Sequence, residues 1–194
     1  MSKNNQPAVK LYPTLGCCGI DCGLCPRYYT VGASRCPGCG GPDFANKRPS
    51  CPFVTCCVKR KGLEVCAHCA EFPCSRFEGW DAREAFVTHQ KSISNLKIIK
   101  QRSQAEFIEQ QKRRINLLET MLENFDEGRS KSFYCLAAAL LPITDLEASI
   151  DKAEQELSSS HIELDDFKAK ASIIRLLLNG FADERGIELK LRNK

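Results

Sequence analysis

The sequence has little in common with membrane or secreted proteins. Its 194 residues contain no run approaching the roughly 18 apolar residues that a membrane-spanning helix requires. The first ten residues are polar and lack the apolar core of a secretory signal. We therefore expect a cytoplasmic protein that does not associate with membranes, and in that compartment thiols stay reduced rather than forming disulfides.

The groups that usually mark an enzyme are also scarce. Only three histidines are present, and none of His68, His89 and His161 has a convincing set of acid–base partners nearby in the sequence. No phosphate-binding loop, dinucleotide fingerprint or nucleophile elbow occurs. Asp21 and Glu71 stand next to cysteines, where a supporting or surface role suffices. These shortages leave the question of enzyme activity open but favour a binding protein.

Cysteine, by contrast, is abundant and unevenly placed. Of the 13 cysteines, 12 lie between Cys17 and Cys74, and only Cys135 lies outside this range. Most glycines and prolines share the first 80 residues, where apolar runs of helical or strand period are few. Such a segment cannot bury enough apolar surface to fold by packing alone, so it needs another source of stability.

The cysteine spacing indicates what that source is. Three Cys-x-x-Cys pairs occur, at 22/25, 36/39 and 66/69. Two residues between thiolates allow a tight turn to direct both sulfurs at one ion, and four sulfurs around a tetrahedral zinc ion can supply folding free energy. Cys135 lies in an apolar helical run instead, where packing explains it.

The cysteine-rich segment resembles a known family. The strings Cys18-Gly-Ile-Asp-Cys22-Gly-Leu-Cys25-Pro26, Cys36-Pro-Gly-Cys39 and Cys66-Ala-His-Cys69-Ala-Glu-Phe-Pro-Cys74 are similar to the bacterial and archaeal family called domain of unknown function 3795. Some longer members continue with a helical C-terminal half, as this chain does. The resemblance implies a zinc-type binding module with ten recurring ligands: Cys18, Cys22, Cys25, Cys36, Cys39, Cys51, Cys57, Cys66, Cys69 and Cys74. Cys17 and Cys56 are additional to the family pattern and less certain as ligands.

The number of thiols permits more than one metal content. Twelve cysteines could form three four-sulfur sites, and ten could form two sites with two spare thiols, or three if two thiolates bridge. We expect two or three zinc ions, with an iron–sulfur cluster as the alternative because the same thiolates hold such clusters. The spacing Cys18-x3-Cys22-x2-Cys25 matches that of radical S-adenosylmethionine enzymes, but the βα barrel of those enzymes has no counterpart in this sequence.

The composition predicts two domains and a mostly α fold. Residues 1–80 form the irregular, metal-stapled module, and residues 81–194, rich in Leu, Ile, Ala, Glu, Lys and Gln, form a small helical bundle. The tail Ile187–Arg192 alternates apolar and polar residues and is predicted to be a short strand, pairing with residues Val9–Tyr12.

The apolar periodicity also locates the helices. Helical pieces are predicted within residues 84–100, interrupted near the serines at 92 and 94, and a long helix over residues 104–124. Residues 133–141 are predicted to be a buried helix that Pro142 stops. Thr144 is predicted to cap the next helix, and Asn179-Gly180 to end the last one.

Three functions are compatible with this sequence. The first is a zinc-stabilised binding module for a protein partner, and the second is an iron–sulfur or thiol-based redox or metal-transfer protein. The third is a nucleic-acid binder resembling a zinc ribbon, which would use basic and aromatic residues of the first half: Lys47, Arg48, Lys59, Arg60, Lys61, Arg76, Tyr28, Tyr29, Phe44 and Phe53. Residues 1–80 carry ten basic and five acidic side chains, but each four-thiolate zinc site adds about −2, which offsets much of this basic excess and disfavours nucleic acid.

Overall fold

The fold class predicted from the sequence is confirmed. A computed structural model describes residues 10–47, 50–160, 162–163 and 165–192. These residues are mostly helical and contain no β-sheet; their β pairing is limited to two isolated bridges, Leu15 with Asp21 and Glu84 with Thr88. The cysteine-rich part is irregular and precedes the long helices.

Short turns make up the cysteine-rich region. It contains one α-helical turn, α1 (Phe44–Lys47), a π-helical segment at Val54–Arg60, and four single 3₁₀ turns: Cys22–Leu24, Gly32–Ser34, Cys66–His68 and Ser75–Phe77. Gly38 shows why glycine is needed here. Its φ is +83°, and a Cβ at this position would lie 2.4 Å from the carbonyl oxygen of Pro13.

Five longer helices follow. They are α2 (Ser92–Gln101), α3 (Gln104–Asn124), α4 (Lys131–Leu140), α5 (Ile143–Ser159) and α6 (Phe167–Glu184). Side chains cap two of them, because Ser103 accepts the N–H of Glu106 at α3 and Asp166 accepts that of Ala169 at α6. The predicted helices over residues 104–124 and 133–141 are confirmed.

Helix α3 connects two hydrophobic cores. Its first half contributes Phe107 and Ile108 to a core that also contains apolar residues of the cysteine-rich region and α2: Leu15, Phe53, Val54, Val65, Phe72, Phe77, Leu96 and Ile99. Its second half contributes Leu118 and Met121 to a core made with α4, α5 and α6. The helix therefore fixes the position of the cysteine-rich region relative to the bundle.

The second core consists mainly of helical residues. Helix α4 is buried over most of its length, which agrees with its apolar sequence, and its Cys135 is buried as expected. Tyr134 is fully buried, and its hydroxyl donates to the carbonyl oxygen of Phe125 at 2.9 Å. Because these contacts do not involve the clustered cysteines, the bundle has its own source of stability.

Three helix boundaries differ from the prediction. Residues 84–91 are not helical, and Ser92 begins α2 instead of interrupting a helix. Helix α5 begins at Ile143 after Pro142, whose φ of −55° and ψ of 148° set the chain direction, so Thr144 lies inside the helix and is not its cap. Helix α6 continues past Gly180 to Glu184 because Ala182 is buried in the core.

The true end of α6 is a Schellman motif. The N–H of Ile187 donates to Ala182 O at 2.8 Å, and that of Gly186, whose φ is +63°, donates to Asp183 O at 3.1 Å. The tail that follows is not a strand in the part of the chain that the structure describes. The proposed pairing residue Val9 lies outside this part, as do Arg48 and His161.

A helix must be both long and apolar to cross a membrane. Within the described ranges, none of the helices combines the length and the apolar character needed to span a bilayer.

Candidate metal centre

Four buried thiols come together in the cysteine-rich region. The Sγ atoms of Cys17 and Cys39 lie 3.9 Å apart. The thiols of Cys57 and Cys66 lie close enough to that of Cys17, and to each other, that each shifts the pKa of its neighbours. We call Cys17, Cys39, Cys57 and Cys66 the closed thiol cluster, because all four side chains are buried.

Backbone hydrogen bonds hold the loops that carry these thiols. The N–H of Cys66 donates to Cys17 O at 2.8 Å, and that of Cys39 donates to Pro13 O at 2.7 Å. The N–H of Cys17 lies 3.4 Å from Cys39 Sγ and donates to it. Cys57 belongs to the π-helical segment. The cluster therefore joins thiols from four separate turns of the cysteine-rich region.

The Cys-x-x-Cys pairs do not enter the closed thiol cluster as pairs. Cys39 belongs to it without Cys36, whose N–H donates to Arg27 O at 2.9 Å. Cys66 belongs to it without Cys69, which lines a neighbouring cavity. Cys17, which the family pattern leaves aside, is instead the thiol that contacts all three others.

Hydrogen bonding within the cluster divides its thiols into two kinds. The hydrogen bonds with Cys17 and then Cys66 lower the pKa of Cys57 to about 4, and that with Cys17 lowers the pKa of Cys39 to about 7. The pKa of Cys17 is raised, first by its hydrogen bonds with Cys39, Cys57 and Cys66 and then by burial. Cys39 and Cys57 are therefore the more acidic thiols of the cluster.

A buried lysine lies near these thiols. The side chain of Lys10 is fully buried, and its Nζ donates to Leu15 O at 2.6 Å and lies 3.5 Å from a carboxylate oxygen of Glu64. Its positive charge lowers the pKa of both Cys39 and Cys57. A cation in this position offsets part of the charge that deprotonated thiols bring into the interior.

The donor chemistry and spacing of the cluster fit a tetrahedral ion. Four sulfurs that each lie about 2.3 Å from one zinc ion are separated from one another by about 3.8 Å. The 3.9 Å between Cys17 and Cys39 is close to this value. Across the described residues, however, no three Cys, His, Asp or Glu side chains form a ready-made ligand set. Binding therefore requires the thiols to lose protons and adjust their side chains.

A second set of cysteines lies beside the cluster. Burial raises the pKa of Cys18, with smaller contributions from Cys39 and Cys51. Burial also raises the pKa of Cys22, followed by the charges of Cys39, Cys18 and Cys25. These residues thus lie within electrostatic reach of the closed thiol cluster without being members of it.

Asp21 anchors this second set to the helices. Its buried carboxylate accepts a hydrogen bond from Asn95 Nδ2 of α2 and another from Gln111 Nε2 of α3, each at 2.9 Å. Burial raises the pKa of Asp21, while Gln111 and then Asn95 oppose the rise. The sequence pattern identified only a supporting role for Asp21, and its amide partners were not predicted.

A second contact also attaches the cysteine-rich region to α2. Ser92 Oγ donates to Cys18 O at 2.6 Å and accepts from Trp80 Nε1 at 2.8 Å. Gly19 packs so closely against α2 that a Cβ there would lie 2.1 Å from Ser92 O. The cysteine-rich region is thereby held directly on the first residue of α2.

Three further thiols line an open cavity, whereas Cys25, Cys36 and Cys51 are half-buried elsewhere in the cysteine-rich region. Cys56, Cys69 and Cys74 are half-buried and surround a cavity of about 470 Å³, whose wall also includes Cys57 and Cys66 of the closed thiol cluster. Lys61 lies at the rim, with its Nζ 3.2 Å from Cys69 Sγ and 2.6 Å from Glu71 Oε1.

The basic and aromatic residues considered for nucleic acid do not form one exposed set. Lys59, Arg60 and Lys61 are exposed, but Phe53 is buried, with its ring centroid 4.9 Å from that of Phe77 and 4.6 Å from that of Trp80. A buried ring is not available for stacking with a base.

Comparison with known proteins agrees with the family resemblance. Residues 14–79 match the family described as "Protein of unknown function (DUF3795)". The matched range contains all twelve clustered cysteines and ends before the long helices. Neither a curated protein nor a solved structure matches the chain.

Proposed function

We propose that the DUF3795 segment, residues 14–79, binds zinc through the closed thiol cluster, and that this ion stabilises a binding module for a protein partner. The observation that supports the proposal is the meeting of four buried thiols from four separate positions, with Cys17 in contact with the other three. Sulfur-only coordination with no open position is the usual arrangement of structural zinc.

The charge balance supports a bound cation. The interaction with Cys17 lowers the pKa values of Cys39 and Cys57, which favours the deprotonated form that a metal ion binds. Lys10 supplies one compensating charge, and a divalent ion would supply two more. Burial without such compensation raises the pKa of a thiol, as it does at Cys18.

Disulfide bonding explains the cluster less well. No disulfide bond joins the cysteines of the described residues, and the 3.9 Å between Cys17 and Cys39 exceeds the roughly 2.05 Å of a disulfide bond. Cys17 contacts three thiols at once, whereas a disulfide would use one of them. Three thiols around Cys17 are better suited to binding one metal ion together with it.

The same contacts favour a single ion over an iron–sulfur cluster. A multi-iron cluster with its inorganic sulfides occupies the space between its four cysteine ligands and holds their sulfurs apart. In this protein the sulfurs of Cys17 and Cys39 are already 3.9 Å apart, and Cys17 also touches Cys57 and Cys66. A mononuclear zinc site needs no such separation.

In this function the bound ion cross-links loops that have few apolar contacts of their own. The chain supplies the rest. Cys66 N–H and Cys39 N–H fix the loops to Cys17 O and Pro13 O, and Lys10 offsets the thiolate charge. Asp21 and Ser92 then hold the loops on the helices, so the loops and α2 keep a fixed relative position.

The test is the zinc content of variants purified without oxygen. We expect Cys39→Ser to lose one zinc ion per chain relative to the wild type, because the closed thiol cluster loses a ligand. Cys135→Ser is the matched control, since Cys135 is a buried thiol of the helical core. Equal zinc content in wild type and Cys39→Ser, or wild-type protein without zinc, would contradict the proposal.

A further inference from the structure

We propose that a cleft between α4 and the tail that follows α6 binds a small amphipathic carboxylate, such as a medium-chain fatty acid, as a free molecule. The cleft consists of two cavities that share Lys190 on their walls. We call the one of about 380 Å³ the apolar cavity and the one of about 250 Å³ the cationic cavity. None of the described residues that line them is a clustered cysteine, so this inference does not rest on the proposed zinc site.

Four segments of the chain form the apolar cavity. They are α4, residues 85–88, the tail residues 189–191, and the turn of the cysteine-rich region that carries Leu24 and Pro26. The wall is mainly apolar, and its larger side chains include Leu24, Val87, Phe133, Leu136, Leu189 and Leu191. A volume of about 380 Å³ lies in the range of small-molecule sites and, at roughly 30 Å³ for each water-sized group, accommodates about a dozen such groups. An alkyl chain of about eight carbons therefore fits, and its entry releases water from the apolar wall.

An exposed aromatic ring extends the apolar wall toward solvent. Phe86 lines the apolar cavity although 53% of the residue is exposed. The guanidinium carbon of Arg27 lies 4.7 Å from the centroid of its ring. Apolar surface and positive charge therefore occur together at the entrance, which suits an amphipathic anion.

The second cavity is lined by more cations than carboxylates. Its wall includes three cations and one carboxylate: Lys91, Lys190, Arg192 and Glu188. Arg192 is also paired with the buried Glu84, its Nε lying 3.3 Å from Glu84 Oε1, whereas neither lysine forms an ion pair within the described part of the chain. Three positive charges against two negative ones leave an excess of +1, which a single carboxylate would neutralise.

Contacts at both ends fix the tail segment that carries Lys190. Ile187 and Leu189 pack against the second hydrophobic core. At the other end, Arg192 donates to Glu84, whose side chain is only 4% exposed. The apolar wall and the lysine therefore have a set separation before any ligand binds, which lowers the entropy lost on binding.

The experiment is isothermal titration calorimetry of the full-length protein, purified under reducing conditions, with octanoate, octanol and octylamine. These probes share the same alkyl chain and differ in their head group. We expect octanoate to bind about fivefold more tightly than octanol, the gain of one partly exposed ionic contact, and octylamine to bind least tightly. Lys190→Gln should reduce the affinity for octanoate to that for octanol, whereas Lys97→Gln, at an exposed position of α2, should leave the preference unchanged.

Two further measurements test the apolar cavity. Ala85 is an exposed residue of its wall, so Ala85→Trp should fold and should weaken octanoate and octanol alike by narrowing the cavity. In the wild type, octanoate should slow the alkylation of Cys135, which lines the same cavity. The wild-type measurement does not depend on the folding of a variant.

Octanoate that binds no more tightly than octylamine, or that leaves the alkylation of Cys135 unchanged, would overturn the proposal. Unchanged octanoate affinity in both Lys190→Gln and Ala85→Trp would do the same. Binding to phosphatidylglycerol vesicles without binding of free octanoate would also overturn it, by assigning the cleft to a membrane surface. The zinc content of the same samples separates the two proposals: octanoate binding by a protein without zinc would refute the proposed function alone, and a zinc-containing protein that does not bind octanoate would refute this inference alone.

Discussion

Replacing Asp21 with asparagine tests how the cysteine-rich region is attached to the helices. The change keeps the size of the side chain but replaces one hydrogen-bond acceptor with an NH₂ donor. In the native protein both carboxylate oxygens accept from amide groups, one from Asn95 and one from Gln111. The substitution therefore places a donor opposite a donor on one side.

Neither amide can turn to relieve this conflict. Asn95 Nδ2 also donates to Gly19 O at 2.9 Å, and Gln111 Nε2 also donates to Thr14 O at 3.1 Å. A flipped amide would direct its own oxygen at one of these carbonyl oxygens. Leaving one buried donor unsatisfied costs about 1–3 kcal/mol, and removing the buried charge recovers part of this, so we expect a loss of about 2 kcal/mol.

The assay is urea unfolding of the zinc-loaded protein, followed by the fluorescence of Trp80, the only tryptophan. Trp80 donates to Ser92 at the same junction and so reports its integrity. The matched control is Asp151→Asn on the exposed face of α5, which should change the free energy of unfolding by less than about 0.5 kcal/mol. Equal stability of the two variants would refute the role of Asp21.

Two glycine substitutions should change stability in opposite directions, as measured by thermal unfolding. Gly19→Ala should cost more than about 2 kcal/mol, because φ is +89° and the new Cβ would meet Ser92 O at 2.1 Å. Gly180→Ala should instead stabilise the protein by about 0.5–1 kcal/mol, because the residue lies inside α6 with open space around it. A stable Gly19→Ala variant would contradict the close packing of the loop on α2, and a destabilised Gly180→Ala variant would contradict the continuous helix.

The long helices were predictable because their signals are local. The apolar period over residues 104–124 specifies α3 by itself, and the apolar run ended by Pro142 specifies α4. The predicted cap at Thr144 was wrong for a local reason, because Pro142 already starts α5 at Ile143, whereas the boundary at Gly180 was wrong for a tertiary reason. Burial of Ala182 stabilises the last turn of α6 beyond a residue that usually ends a helix, and the Schellman glycine is Gly186.

The cysteine pattern predicted which part of the chain carries the candidate site, but not which cysteines come together in it. All four members of the closed thiol cluster lie in the segment identified from spacing, which also matches the family. Their grouping depends on how the loops fold over each other, so the local spacing of Cys36 with Cys39, or of Cys66 with Cys69, does not reveal it. Cys17 is central because Cys66 N–H binds its carbonyl oxygen, a contact across 49 positions of sequence.

No sequence pattern indicated that the amide side chains of Asn95 and Gln111 would donate to Asp21. A glutamine in the middle of α3 and an asparagine in α2 are ordinary residues of amphipathic helices, and both usually face solvent. Only the packing of α2 and α3 against the loop at Gly19 reveals that Asn95 and Gln111 are buried polar groups serving one carboxylate.

The most direct test of the account is limited proteolysis after verified removal of zinc under reducing conditions. If the metal holds together the segment that matches the family model, cleavage should begin within residues 14–79, while the bundle, whose core is mainly helical, resists longer. Restoring zinc should restore protection. Unchanged resistance of residues 14–79 in the metal-free protein would contradict the central claim that a metal ion stabilises this region.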